Sequence, residues 1–279
     1  MNMRCPFCLE PALRERYTKK SLLTGEIIYY YRCSACGSYR QVPYPTQDVL
    51  DAYYQQYPEI KGILNAGYLD PQGYAVLQKE RDMTLQELRF PLERIKNHTN
   101  AELGCANGMF LHYLYEKGGR DIIGLDISTP LLEQIPPGKY RIYKGGLEQL
   151  PSDSVDNLFL FHILEHLPDM ESCFFHLRRV LKEEGLVVLE VPVAGWISER
   201  QGEGWRFFMA DEHLNIPTYQ GLRHFLKRQN IRILHTTRFG SGHTRGSISP
   251  LKKAFFDWAA KTFNYGDRIA LLLCKDKKI

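Results

Sequence analysis

Two cysteine pairs near the N-terminus are the first residues whose type and spacing suggest chemistry. Cys5-x-x-Cys8 and Cys33-x-x-Cys36 are separated by 24 intervening residues. Two thiolates at this spacing fit one side of a tetrahedral Zn²⁺, and the second pair completes the shell. Four cysteines leave no open position, so the pattern predicts a structural zinc site in a module too small to build its own core. Free thiols are the alternative.

A glycine loop and an acid form the second candidate site, within residues 100–128, NAELGCANGMFLHYLYEKGGRDIIGLDIS. Gly104 and Gly108 separate a predicted strand from a helix, where the backbone can approach a ligand and helix N–H groups are unpaired. Asp126 ends the next predicted strand, where an acid can accept hydrogen bonds from the ribose hydroxyls of an adenosine ligand. The dinucleotide fingerprint G-x-G-x-x-G does not fit, because its third glycine would fall at Met109.

Two Glu-His pairs could carry acid–base chemistry. In ADEHLNIPT, His213 is the candidate base and Glu212 would orient it or compensate its charge. The alternative is that this pair caps the helix starting near Thr218, or forms a polar hinge. Glu165-His166 is the second pair, and we expect His166 to have a supporting role.

The alternation of elements predicts the fold class. From about residue 99, short apolar strands alternate with helices, which predicts βαβ units and a doubly wound α/β sheet covered on both faces. We expect a zinc ribbon at residues 1–45, a helical linker and lid at 46–98, and the cofactor-binding domain at 99–279. Within the linker, residues 58–75 are predicted to be a loop.

Charge is distributed unevenly along the chain. Residues 220–279 contain thirteen Lys or Arg and three Asp, which gives +10, so residues 1–219 sum to −6 within the net charge of +4. A basic third can attract phosphate groups on a small molecule or a nucleic acid, although a solvated basic surface is the alternative. The loop at 238–247, RFGSGHTRGS, could form an anion nest with Arg238 and Arg245, or be a flexible solvated loop.

Composition also bears on location. No apolar run is long enough for a membrane span, and the N-terminus has no apolar secretory segment. Seven cysteines without such a segment favour reduced thiols or a metal site over disulfides. We therefore expect a cytoplasmic protein that does not act in a membrane.

Glu102-x-Gly104-x-Ala106-x-Gly108 resembles the E/D-x-G-x-G-x-G motif of class I S-adenosylmethionine-dependent methyltransferases. The stretches GLEQLPSDSVDNLFLFHILEHLPD and LKEEGLVVLEVP resemble that family's segments through its fourth and fifth strands. The resemblance covers residues 99–240 and the last predicted strand. It implies a seven-stranded, Rossmann-like sheet and S-adenosylmethionine as cofactor.

The resemblance implies nine cofactor-binding residues, which are Glu102, Gly104, Ala106, Gly108, His162, Asp126, Ile127, Gly146 and Leu147. The first four would surround the methionine moiety, and His162 would lie near the sulfonium. Asp126 would hold the ribose, and the last three would flank the adenine. Gly146 stands where many members carry an aspartate that bonds the adenine amine, so that contact would come from backbone or water, or be missing.

The four-cysteine ribbon followed by VPYPTQDVLDAYYQQY resembles the N-terminal module of methyltransferases that act on small molecules, such as deoxysugar C-methyltransferases. Those enzymes carry a Glu-His pair that serves the acceptor, in a region corresponding to Glu212-His213. We therefore expect O- or C-methylation of a small molecule, such as a sugar or another biosynthetic intermediate, and the basic C-terminal third suits an anionic acceptor.

Two other functions stay open. A four-cysteine ribbon before a class I domain also occurs in some ribosomal RNA guanine methyltransferases, and a basic C-terminal third fits RNA. Against this, FHIL stands where base-amine methyltransferases carry Asp/Asn-Pro-Pro-aromatic. The other possibility is a non-catalytic module that binds the cofactor or a protein.

Overall fold

Two β-sheets organise the chain in a computed structural model, which describes residues 3–60, 70–240, 250–263 and 265–276. The strands are β1 (Leu13–Lys20), β2 (Ile27–Cys33), β3 (Tyr39–Val42), β4 (Asn100–Leu103), β5 (Ile122–Asp126), β6 (Arg141–Lys144), β7 (Val155–Phe161), β8 (Leu181–Pro192), β9 (Asn215–Ile216), β10 (Ile231–Phe239) and β11 (Arg268–Lys275). The helices are α1 (Gln47–Ile60), α2 (Pro71–Glu87), α3 (Arg94–Asn97), α4 (Met109–Glu116), α5 (Thr129–Leu132), α6 (Met170–Val180), α7 (Trp196–Gln201), α8 (Tyr219–Arg228) and α9 (Pro250–Phe263).

The larger sheet has the order β10-β11-β8-β7-β4-β5-β6. Strands β4 to β8 are parallel to their neighbours among themselves, and β11 runs antiparallel to β8 and β10. Leu158 and Phe159 are adjacent on β7 and belong to different buried clusters, so both faces of the sheet are covered. The predicted seven-stranded, doubly wound α/β sheet is confirmed.

The strand order creates a crevice. The chain runs outward from β4 through β5 to β6, then returns to β7 on the other side of β4. Ligands of open α/β sheets bind outside the carboxyl ends of the strands at such a reversal. The turn at 104–108, Asp126 and His162 lie at the carboxyl ends of β4, β5 and β7, so the topology brings them to one edge.

The smaller sheet joins the N-terminal segment to the C-terminal half of the chain. Its order is β1-β2-β3-β9, and Tyr39 and Arg40 of β3 pair with Ile216 and Asn215 of β9. One face of this smaller sheet packs on an aromatic cluster that includes Trp205. The strands β1, β3 and β9 were not predicted from the sequence.

Helix boundaries differ from the sequence prediction at one place. Residues 58–75 were predicted to be a loop, but α1 continues to Ile60 and α2 begins at Pro71, while 61–69 lie outside the described residues. Proline is allowed in the first helical turn, and Asp70 caps α2 by accepting a hydrogen bond from the Gly73 backbone at 2.7 Å.

Helix α6 ends at Val180. Leu181 is fully buried and pairs with Val155, so it begins β8 instead. Within the described part of the chain, no helix combines the length and apolar character needed to cross a bilayer.

Candidate active site

A cavity of about 540 Å³ lies at the crevice of the larger sheet. Eight of the predicted site residues line it, namely Gly104, Ala106, Asp126, Ile127, Gly146, Leu147, His162 and His166. The other predicted residues of the cleft, Glu102, Gly108, Glu212 and His213, lie outside this lining. Most of the residues that were predicted from the sequence to bind the cofactor therefore line this one cavity.

The turn after β4 needs its glycines. Gly104 has φ +76°, and a Cβ there would lie 2.0 Å from Ile163 Cδ1. Gly108, with φ +79°, is the N-cap of α4. Ala106 also has positive φ, +47°, a conformation that costs an L-residue energy. Its backbone N–H donates to Asp126 Oδ2 at 2.8 Å, which holds the turn in place.

The Asp126 carboxylate faces the cavity with part of its accepting capacity in use. Oδ2 accepts from Ala106, and Oδ1 accepts from the Ser128 backbone at 2.8 Å. A carboxylate has about four lone-pair positions, so it can also accept from hydroxyl groups in the cavity. Burial raises its pKa, and the backbone N–H donors oppose that shift.

Glu102 lies behind the glycine turn with one unsatisfied oxygen. Its side chain is buried, and Oε2 has no hydrogen-bond partner among the described residues. Burial raises its pKa well above the ordinary value, although the charge of Arg81 acts in the opposite direction. An orphaned buried oxygen suits a cationic group, such as the ammonium of an amino-acid ligand.

His162 bridges two buried carboxylates at the end of β7. Its Nδ1 lies 3.1 Å from Glu165 Oε1, and its Nε2 lies 3.4 Å from Glu190 Oε1. Burial alone would lower its pKa, but the two carboxylates outweigh burial and raise the pKa to about 9. The backbone of His162 has φ +57°, so this network holds a residue in an unfavourable conformation beside the cavity.

Glu190 is the centre of a buried charge network that sequence analysis missed. It accepts hydrogen bonds from Arg81 at 3.0 Å, from Thr84 at 3.1 Å and from Arg268 at 3.3 Å. Burial opposes ionisation, but the charge of Arg81 and the other partners hold its pKa far below the usual range. A lone acid within the apolar strand LVVLEVP is the signal that could have identified it.

Helix α1 closes the outer side of the cavity. Leu50, Tyr54 and Tyr57 line this side, and the Tyr54 hydroxyl lies 3.3 Å from His166 Nδ1. Gln55 fastens the helix by donating to the Ile127 carbonyl at 3.0 Å. This helix was predicted from the sequence, but no site residue on it was, although the tyrosine run could have been the signal.

His213 lies directly behind His166. The two rings meet edge to face with centroids 4.8 Å apart, and His213 is only 5% exposed. Its Nδ1 contacts the Phe207 carbonyl at 2.8 Å, so the neutral ring carries its proton on Nδ1 and leaves Nε2 as an acceptor. Burial, and then the charge of His166, lower its pKa to about 4.

Glu212 is buried beside α1 rather than at a helix cap. Burial, and then the charge of Glu212, raise the pKa of Tyr53, which reports their proximity. The cap of α8 is Thr218 itself, whose side chain accepts from Gly221. The helix-cap alternative for the Glu212-His213 pair is therefore wrong.

The four cysteines form one cluster. All four Sγ atoms lie within 4.8 Å of one another, with Cys5–Cys36 at 3.5 Å and Cys8–Cys33 at 3.6 Å. Zn–S bonds of about 2.3 Å in a tetrahedron require sulfurs about 3.8 Å apart, so this donor set fits one Zn²⁺. The hydrogen bond between Cys5 and Cys36 lowers the pKa of Cys36 and raises the pKa of Cys5, so without a metal ion only one thiol of this pair is favoured as the thiolate.

The proposed anion loop is described only at its start. Arg238 is buried, with its guanidinium 5.4 Å from the centre of the Tyr219 ring. Residues 241–247, including Arg245, lie outside the described residues.

Residues 78–236, which are 159 of the 279 residues, match the protein family described as a methyltransferase domain. The chain belongs to this family of methyltransferase domains. The predicted cofactor is supported by that membership, together with the strand order and the cavity at its crevice.

Similar proteins span different activities. A tRNA U34 carboxymethyltransferase from Aliarcobacter butzleri is 25% identical over 159 residues, which are 53% of this chain and 52% of that protein. The chain spans about half the length of the curated relatives it matches. Among solved structures, the (4+2)-cyclase SpnF has a TM-score of 0.58 at 16% identity, covering 85% of this chain and 99% of that one.

A putative sarcosine dimethylglycine methyltransferase from Galdieria sulphuraria has a TM-score of 0.56 at 16% identity, covering 82% of this chain and 99% of that one. At these identities the likeness shows the fold alone, so the acceptor has to be argued from the site.

Proposed function

We propose that this protein methylates a small-molecule acceptor, at oxygen or carbon. The observation that best supports this proposal is the cavity of about 540 Å³, which has the glycine turn and Asp126 on one side and the tyrosines of α1 on the other. Cavities of roughly 300–1,000 Å³ enclose most of the surface of a small ligand. An acceptor covered by α1 would be a compact molecule rather than a base within folded RNA.

The cofactor side of the cavity supports the predicted roles for the methionine and ribose ends. The Asp126 carboxylate would accept the ribose hydroxyls with the lone pairs that its two backbone donors leave. The orphaned Oε2 of Glu102 would meet the ammonium of the methionine moiety. The backbone of Gly104, Ala106 and Gly108 would pass close to that moiety, and the turn needs glycine at 104 because a Cβ there would collide with Ile163.

At the adenine end, Ile127, Gly146 and Leu147 would flank the ring. Glu148 lines the cavity two residues after Gly146 and accepts the Gly146 backbone N–H at 2.8 Å. We assign to Glu148 the contact with the adenine amine that a glycine at 146 cannot make.

Acceptor chemistry would take place at the His166 end of the cavity. S-adenosylmethionine, when bound, supplies an electrophilic methyl group, so the protein has to position the acceptor and remove its proton. His166 lines the wall, His213 lies behind it, and Glu212 lies beside Tyr53. We propose that His213, Glu212 and His166 together serve the deprotonation of the acceptor, with His162 beside the sulfonium.

A structural Zn²⁺ held by the four cysteines is part of the proposal. Three of these cysteines, Cys5, Cys33 and Cys36, are buried in the same apolar cluster as one face of the larger sheet. The ion would fasten the N-terminal sheet to the catalytic body, and it would leave no open coordination position for the reaction.

The test measures which class of molecule receives the labelled methyl group. Purified protein is incubated with methyl-labelled S-adenosylmethionine and a cell extract, which is then separated into RNA, protein and small-molecule fractions. We expect Asp126-dependent label in the small-molecule fraction. Label that appears only in the RNA fraction and disappears on nuclease treatment would overturn the proposed acceptor class.

RNA is the second candidate because of a basic groove beside the cysteine cluster. Arg223, Lys227, Arg228 and Arg232 line a second cavity together with Cys8. A surface that binds phosphates loses affinity steeply as salt rises. Salt-sensitive RNA retention that Arg223→Ala with Lys227→Ala abolishes would favour this candidate.

A further inference from the structure

Three side chains at the acceptor end of the cavity form a compact cluster of metal-ligand type. One potential ligand atom from each of Glu165, His166 and His213 lies within 4.8 Å of the other two. In a tetrahedral site, ligand atoms bound at about 2.0–2.2 Å from a single metal ion lie about 3.3–3.6 Å apart. The three side chains therefore need only a small inward movement to reach a shared ion.

The carboxylate of Glu165 is incompletely satisfied. Its side chain is 0% exposed, and Oε2 has no hydrogen-bond partner among the described residues. A buried ionised oxygen without a donor is costly unless a cation compensates it. The second oxygen, Oε1, is already occupied by His162 Nδ1 at 3.1 Å.

The outer contacts of the cluster match those of metal ligands. Histidine ligands usually donate their other ring N–H to a carbonyl or carboxylate, and ligating carboxylates are themselves hydrogen-bonded. His213 donates from Nδ1 to the Phe207 carbonyl at 2.8 Å, which leaves Nε2 for an ion. Tyr54 holds the ring of His166 through Nδ1 at 3.3 Å.

The donor set selects a class of ion. Two imidazoles and one carboxylate are ligands of zinc and of divalent iron, which keep open positions for water or substrate in such sites. His166 also lines the cavity, so the cluster adjoins the space that an acceptor would fill.

We propose that Glu165, His166 and His213 hold a divalent transition-metal ion, and that this ion activates a hydroxyl-bearing acceptor. This inference rests on the proposed function and narrows it to methylation of oxygen. The acceptor O–H bond breaks and its proton passes to solvent. The O–CH₃ bond forms as the S–CH₃ bond breaks, and S-adenosylhomocysteine leaves. His213 then acts as a ligand that places the ion, and the ion takes the place of a strong base.

The experiment uses the full chain loaded with one equivalent of zinc, which the four thiolates hold in preference to a site of imidazoles and a carboxylate, and Co²⁺ alone as the probe. Calorimetry and visible absorption follow its binding. We expect one Co²⁺ per chain, with absorption typical of nitrogen and oxygen ligands and no thiolate charge-transfer band. Glu165→Gln and His166→Ala should each weaken binding at least about tenfold. His224→Ala, on the exposed surface of α8, is the matched control and should bind as the native chain does.

Calorimetry with S-adenosylmethionine shows whether each variant keeps the cofactor site, and His166→Ala tests the proposal if Glu165→Gln does not fold. A lack of saturable Co²⁺ binding to the native chain, or unchanged Co²⁺ binding in both variants, would overturn the proposed metal site. Label transferred to small molecules by chelator-treated protein would reject the metal and leave the proposed function standing. Bound Co²⁺ without label in the small-molecule fraction of any extract would reject the acceptor class instead.

Discussion

The two sides of the cavity are built from the chain in different ways. The proposed cofactor side comes mainly from successive turns after β4, β5 and β6, within residues 102–148, with His162 added from the end of β7. The acceptor side brings together α1, the turn after β7 and residues 205–213, which are far apart in the sequence. On this proposed assignment, the sheet topology determines where the cofactor would bind, whereas the acceptor site would depend on segments added around the sheet.

The N-terminal sheet belongs structurally to the acceptor side. Ser21 donates to Asp211 at 2.8 Å, and Tyr30 donates to the His213 carbonyl at 3.3 Å. Strand β9 begins at Asn215, two residues after His213, and completes this sheet. The four-cysteine module thus supports the segment that carries His213, so the proposed structural zinc would contribute indirectly to the proposed acceptor chemistry.

Loss of the zinc is the change from which we expect the largest effect. It should abolish turnover, which depends on the acceptor side, and spare cofactor binding. Cys8 is the least buried of the four ligands, so Cys8→Ser removes a ligand without opening a cavity in the core. Because structural zinc contributes about 10–16 kcal/mol in finger peptides, we expect the N-terminal sheet to loosen and turnover to fall below detection. Elemental analysis should show the loss of one zinc per chain, and binding of S-adenosylmethionine should persist.

Cys274→Ser is the control, because Cys274 is partly buried in β11 away from the cluster. Equal loss of cofactor binding and turnover in Cys8→Ser would mean that the two sides do not fold separately.

What could be predicted from the sequence follows the same division. The doubly wound α/β sheet was predicted because its strands are short apolar runs between helices. The resemblance to class I methyltransferases implied seven strands and the adenine and ribose residues, which lie at or just after strand ends. Strand β1, LRERYTKK, was missed because it is an edge strand with mostly exposed side chains and little apolar alternation. Strand β9 has only two residues, and only its pairing with β3 identifies it.

The acceptor side was harder because contacts between distant residues carry no local pattern. Nothing in the sequence around Tyr54 indicates that it meets His166, which is 112 positions away. Glu190 likewise gains its role from Arg81 and Arg268, which reach it from α2 and β11.

His213→Ala should affect the acceptor side alone. A positioned acid–base or metal-ligand group contributes about 10²–10⁴-fold to the rate, and we expect a loss of turnover of that order. His213 lies outside the lining of the cavity, so the dissociation constant of S-adenosylmethionine should stay within about twofold of the native value by calorimetry. His224→Ala provides the comparison. Full turnover in His213→Ala would remove this residue from the mechanism.

Asp126→Ala should affect the cofactor side, with an intermediate effect. Hydrogen bonds to a charged group contribute about 1.5–3 kcal/mol, so affinity for S-adenosylmethionine should fall roughly 10- to 150-fold. The substitution also leaves the backbone donors of Ala106 and Ser128 unpaired, which loosens the glycine turn. Asp153→Asn, at an exposed position, is the control. Unchanged affinity in Asp126→Ala would mean that the ribose does not bind where we place it.

Tyr54→Phe is the finest test, because it removes one hydroxyl and keeps the ring that covers the cavity. The hydroxyl lies 3.3 Å from His166 Nδ1, and a single neutral hydrogen bond contributes about 0.5–1.5 kcal/mol. We expect kcat/KM for the acceptor to fall roughly 2- to 12-fold, with cofactor affinity unchanged. Tyr115→Phe, on the exposed side of α4, is the matched control. If Tyr54→Phe instead weakens S-adenosylmethionine and spares the acceptor, α1 belongs to the cofactor side, and the division between the two sides lies at His166 rather than at the helix.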